Sequence, residues 1–136
     1  MQPIEPGSRR VEYRVAGQAE PISHFTDAVA AGGLLFVSGV VAVDENRELV
    51  GGDDVVAQAR KVFENIGTVL AAAGCSFADV VKVTIFLTDV NDRPLVNPVR
   101  QEVFGETRPA STLVEIPALV IPGAKIEVEA VAVMPA

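Results

Sequence analysis

Apolar and polar residues alternate along this chain with a period that switches between two and about four, and the switches divide it into elements. Arg9 to Val15 places Val11, Tyr13 and Val15 on one parity and reads as a first strand at a sheet edge. Gln18 to Ser23 is a loop, and Phe25 to Val29 leads into an Ala31-Gly32-Gly33 turn between strand-like runs. Leu34 to Val43 is apolar on both parities, which predicts a central strand buried on both faces. Ser38-Gly39 inside it marks a bulge or a close approach by another group. Asp44 to Arg47 is a turn. From Asp53 to Ala73 the period lengthens, and Val55, Ala59, Val62, Phe63, Ile66, Leu70 and Ala73 form one stripe of a helix. Asp53 is the expected N-cap and Gly74 the stop.

Val80 to Leu87 is a β-branched strand. Asp89 and Asp92 offer caps for a second helix over Arg93 to Phe104, with Pro94 in its first turn and Gly105 at its end. Pro98, inside that span, predicts a kink or a later start. Two strands close the chain, one in Arg108–Ile116 and one in Lys125–Ala130, and the second puts Glu127 and Glu129 on one face. The order β-β-α-β-α-β-β predicts one α+β domain over residues 1–136, loose at 1–8, with two helices on one face of a mixed sheet. The other face is left for a second copy of the sheet.

Composition sharpens this picture. A chain of 136 residues buries roughly two thirds of its unfolded surface, yet mean hydropathy is +0.35 with 49% apolar residues, so a homo-oligomeric interface is expected to take up part of the excess. The net charge of -7, with no Lys/Arg cluster, opposes nucleic acid and anionic membranes as partners. Met1 to Pro6 lacks the apolar core of a secretory leader, and the uncharged run Ala28–Val43 is too short and too glycine-broken to span a bilayer. With Cys75 as the only cysteine, a cytoplasmic setting is the expectation. No His/Cys/Asp cluster has metal-ligand spacing, Gly51-Gly52 lacks the context of a phosphate loop, and no cofactor is implied.

Five stretches occur in an order that resembles the RidA/YjgF family of reactive-intermediate deaminases: Leu35-Phe36-Val37-Ser38-Gly39, Ala57 to Ile66, Val80 to Asp89, Arg108-Pro109-Ala110-Ser111 and Lys125 to Ala130. The similarity runs from about Ile22 to Met134. It implies a chorismate-mutase-like domain, a homotrimer with three intersubunit clefts, a small-molecule ligand, and hydrolysis of enamines or imines to carbonyl compounds and ammonia. It also implies site positions. The family's cleft-lining backbone falls at Ser38-Gly39, its loop aromatic at Phe25, its helical asparagine at Asn97 and its strand glutamate at Glu127. Deaminating members carry an arginine directly after the Pro-Ala; here that residue is Ser111, and a frequent cysteine two residues on is Leu113. Small imino acids are therefore less favoured as substrates, because nothing in the sequence evidently replaces a bidentate carboxylate clamp.

Chemistry and bland alternatives stand side by side at each of these positions. Hydrolysis of C=N needs a proton on nitrogen and an activated water, and a carboxyl with a raised pKa supplies both. Glu127 without a neighbouring cation fits that role if buried; as a structural carboxylate at a subunit seam it is inert. Ser111 hydrogen-bonds a ligand or fills space. Arg108 is a substitute cation or a surface side chain, and Arg100, one helical turn after Asn97, faces the cleft mouth or is solvated. His24, beside Phe25, contacts the ligand or lies on the surface. Cys75 reads as an incidental, partly buried thiol. The expected site thus comprises Glu127 as catalytic group with His24, Phe25, Ser38, Gly39, Asn97 and Ser111 as ligand contacts. The alternative is a metabolite binder of the same fold without turnover.

Overall fold

A computed structural model describes residues 9–136 of the chain, so the expected loose segment at 1–8 lies outside the described residues. Six strands form one mixed sheet in the order β1-β2-β3-β6-β4-β5. They are β1 (Arg10–Tyr13), β2 (Ala28–Ala31), β3 (Leu34–Val41), β4 (Val80–Leu87), β5 (Ala110–Glu115) and β6 (Ile126–Val133). Helix α1 (Val55–Ala72) joins β3 to β4 and α2 (Arg93–Phe104) joins β4 to β5. The β4–β5 pair is parallel, as a helical crossover requires, and the other pairs are antiparallel. The α+β architecture expected from the sequence is present, and β1 lies at an edge.

Three expectations need correction. β2 makes a sixth strand: its Ala-Val-Ala-Ala run has little β propensity, and its pairing with both β1 and β3 holds it extended. The strand β3 is central but covered on one face only. Leu35 and Val37 are buried while Phe36 is 46% exposed, because both helices lie on the same side of the sheet. The cap of α1 is Asp54, not Asp53. Gly51 and Gly52 both adopt positive φ, and the turn they make delivers Asp54 to the helix start, where its carboxylate accepts from the Val56 and Ala57 N–H groups. The second helix begins at Arg93 as expected, with Pro98 inside it. The N–H that proline lacks would have bonded the first-turn carbonyl of Pro94, so one hydrogen bond is lost.

The core lies between the sheet and α1. The stripe expected for that helix is buried, and Leu35, Ile85, Leu87, Ile126 and Val128 face it from the sheet. Phe63, Phe77 and Phe104 meet edge to face, with ring centroids 5.4 to 6.4 Å apart, and join α1 to the end of α2. Gln58 is fully buried. Its amide donates to the Gly52 and Gly123 carbonyls, and its oxygen accepts from the Lys125 N–H, tying α1 to the start of β6. Among the described residues no helix is long and apolar enough to cross a membrane.

Candidate active site

Register decides where each candidate side chain points. Ile126, Val128, Ala130 and Ala132 are buried under the helices, so the alternate residues Glu127 and Glu129 lie on the open face of the sheet. Glu127 stands between Val41 of β3 and Phe86 of β4. The pairing of β3 with β6 slips between Val37 and Val40, so Ser38-Gly39 forms the bulge its sequence suggested. The bulge brings Gly39 against the glutamate: a Cβ on Gly39 would stand 2.7 Å from Glu127 Oε1. Glu127 and Gly39 line a cleft of about 360 Å3 together with Phe25, Asn65 and Val120. Burial pushes the Glu127 carboxyl above the usual glutamate range, and the neighbouring charge of Glu129 pushes it further. Among the described residues no Lys or Arg pairs with it.

Ser111 lies elsewhere. In the parallel β4–β5 register it sits beside Val83, a core residue, so its side chain is on the helix face of the edge strand. There its hydroxyl accepts a hydrogen bond of 2.9 Å from Arg100 Nη2 on α2. Asn97, one turn earlier on the same helix, joins Arg100 and Arg108 around a second cavity of about 450 Å3. Arg100 is partly buried rather than fully solvated, and desolvation lowers its pKa. One chain therefore carries two groups of candidate residues on opposite faces of its sheet: Phe25, Gly39 and Glu127 on one, Asn97 and Ser111 on the other.

The remaining candidates have other surroundings. The Ser38 hydroxyl donates to the Thr26 carbonyl at 2.5 Å, which pins the bulge to the loop that carries Phe25. His24 is exposed and is not among the residues that line either cavity. Cys75 is buried, and burial pushes its thiol pKa up, with Asp79 adding to the effect. Two cleft residues were not singled out from sequence. Asn65, buried on α1, donates to the Val41 and Val43 carbonyls just beyond the bulge. Arg47 adopts a left-handed φ of 63° and hydrogen-bonds the Glu20 carbonyl across the cleft mouth. Among the described residues no group of three or more His, Cys, Asp or Glu side chains is placed to hold a metal ion.

A family model described as Endoribonuclease L-PSP matches residues 16–134. The 3-aminoacrylate deaminase RutC of Acinetobacter baylyi is 40% identical over 116 residues, which cover 85% of this chain and 91% of that protein. The human 2-iminobutanoate/2-iminopropanoate deaminase is 34% identical over 112 residues, covering 82% and 81%. Among solved structures, the yeast protein YEO7 superimposes with a TM-score of 0.88 at 31% identity, over 93% of this chain and 99% of that one. A match over nearly all the described residues, with the same two helices on a mixed sheet, places the chain in the RidA/YjgF family, to which the Endoribonuclease L-PSP model corresponds.

Proposed function

We propose that the chain acts as a homotrimeric enamine/imine deaminase, with a small metabolite bound in clefts between subunits. The open sheet face supports assembly. It carries Phe36, Val114 and Val133 in exposed positions, at 46%, 38% and 45%, and Glu127 lies among them. A second sheet laid on that face covers the apolar side chains and encloses the cleft. The two groups of candidate residues, on opposite faces of one chain, then meet only where neighbouring copies adjoin. The relatives named for 3-aminoacrylate and for 2-iminobutanoate and 2-iminopropanoate act on an enamine and on imines, each bearing a carboxylate.

The observation that carries this reading is Glu127, a half-buried carboxyl that lines a cleft and, among the described residues, has no Lys or Arg paired with it. Burial, with the neighbouring charge of Glu129, raises its pKa and so favours the protonated form that a proton donor needs. That proton passes to the imine nitrogen, and the resulting carboxylate accepts a proton as water adds to carbon, giving a carbinolamine. Glu127 next protonates the amino group and takes the hydroxyl proton as the C–N bond breaks. One imine and one water thus yield one carbonyl compound and one ammonia, with Glu127 regenerated. Removal of such a group lowers turnover by roughly 10²- to 10⁴-fold. Ammonia release from imines generated in situ is expected for the wild-type protein and lost in Glu127→Gln; full turnover in that variant overturns the assignment.

A binder without turnover is the second reading. It is favoured by the separation of Ser111 from Glu127 within one chain, and absence of ammonia release from every imine tested selects it.

A further inference from the structure

The basic residues of this chain are outnumbered, 11 Lys and Arg against 18 Asp and Glu. Several are matched to a carboxylate: Arg10 with Glu12, Arg14 with Asp27, Arg60 with Glu102 and Lys61 with Glu64. Arg100 is not. Among the described residues no carboxylate pairs with it, although its guanidinium is partly buried and lines a cavity. Partial desolvation of a cation without a counter-charge is unfavourable unless something else compensates it. What the structure supplies is one hydroxyl, Ser111 Oγ, at 2.9 Å from Nη2. A hydroxyl fixes the direction of the guanidinium plane and leaves its charge unneutralised and most of its donors free. Asn97 adds an amide on the same side of α2, and Arg108 adds a second positive group at the cavity rim.

A planar cation, oriented by a neutral post and facing an open cavity, matches a carboxylate in charge and in the spacing of two parallel N–H donors. We propose that Arg100 is the group that grips the carboxylate of the ligand, and that Ser111 is a positioning residue that holds it for that contact. The cation is delivered by the second helix and steadied by the strand residue. This revises the expectation that imino acids are disfavoured: the strand position lacks a cation, and the helix provides one 2.9 Å away. The inference rests on the proposed intersubunit site, because Arg100 and Glu127 serve one ligand only when neighbouring copies bring them together.

Binding of a keto acid that cannot turn over tests the anchor independently of catalysis. Titration calorimetry of the whole assembled protein with 2-oxobutanoate is expected to show binding that weakens roughly 10- to 100-fold in Arg100→Gln and less in Arg100→Lys. Arg10→Gln, at an exposed ion pair with Glu12 on β1 and outside both cavities, is expected to leave the affinity within about twofold. Ser111→Ala is expected to raise KM for an imino acid with little change in kcat, as loss of a positioning contact in binding does. In the wild-type protein the Arg100 guanidinium NMR signals shift on addition of the keto acid, which decides the matter if Arg100→Gln does not fold. Undiminished affinity in folded Arg100→Gln, no shift at Arg100, or tighter binding of inorganic phosphate than of the keto acid each overturns the proposal. Loss of affinity in Arg100→Gln without ammonia release from any imine keeps the anchor and removes the deaminase reading.

Discussion

Gly39→Ala separates the space around Glu127 from its charge. Gly39 does not occupy the left-handed region, so alanine meets no backbone strain there. What it meets is the glutamate: the new methyl would lie 2.7 Å from Oε1 and 3.0 Å from Cδ, where ordinary contact begins at 3.4 Å. The carboxylate must retreat by the difference between 3.4 and 2.7 Å, about 0.7 Å. It is the end of a flexible side chain, so the retreat costs about 0.5–1.5 kcal/mol of rotamer strain. The lower unfolded-state entropy of alanine offsets roughly 0.4–1 kcal/mol of that. Stability should therefore stay nearly level, with Tm within about 3 °C of wild type. Catalysis is less forgiving, since a misplacement approaching 1 Å costs on the order of 10²-fold. Ammonia release beside thermal unfolding of the same sample is expected to show a fall of roughly 30- to 100-fold in kcat at near-constant Tm. Turnover within about threefold of wild type refutes the placement of Glu127 as proton donor, and a large loss of Tm refutes the claim that its side chain can yield.

Two further variants probe the charge beside Glu127 and the buried amide of α1. Glu129→Gln removes the charge that adds to the raised pKa of Glu127, so the alkaline limb of the pH–rate profile should move to lower pH. The folded protein holds the Glu127 proton to higher pH than the unfolded chain does; hence its effect on stability is neutral below the ordinary glutamate value and destabilising as pH rises through the raised one, a slope that Glu129→Gln should shallow in urea titrations across that window. Gln58→Leu leaves the Gly52 and Gly123 carbonyls and the Lys125 N–H without their partner, and should cost about 2–4 kcal/mol in chemical denaturation; a loss under 1 kcal/mol indicates that water replaces the amide.

Periodicity made most of the fold legible, because one face of each helix and strand meets the core. It failed where tertiary pairing imposes the conformation: the alanine-rich β2 is held extended by strands that flank it on both sides. The bulge could be read from Ser38-Gly39, but the group approaching it could not, since that depends on how β6 sits beside β3. Glu127 and Ser111 also fall on opposite faces for a reason no local pattern contains, the parallel register that sets Ser111 beside Val83. Arg100 could be placed one turn from Asn97, yet its hydroxyl partner belongs to a strand reached only through the crossover. Gln58 and Asn65 did leave a signal. They interrupt the apolar stripe of α1 seven positions apart, where a polar side chain must find partners inside.

The three phenylalanines that meet edge to face have a consequence for how the site is held. Helix α1 buries nine residues, while α2 buries only Val96 and Val99. The helix carrying Asn97 and Arg100 is thus the more weakly moored of the two, and Phe104 at its end is its aromatic tether to α1. Sub-global opening of the molecule is drawn from such segments. A ligand that seats on Arg100 as proposed would lend α2 part of the mooring it lacks, so occupancy and local order of that helix should rise and fall together.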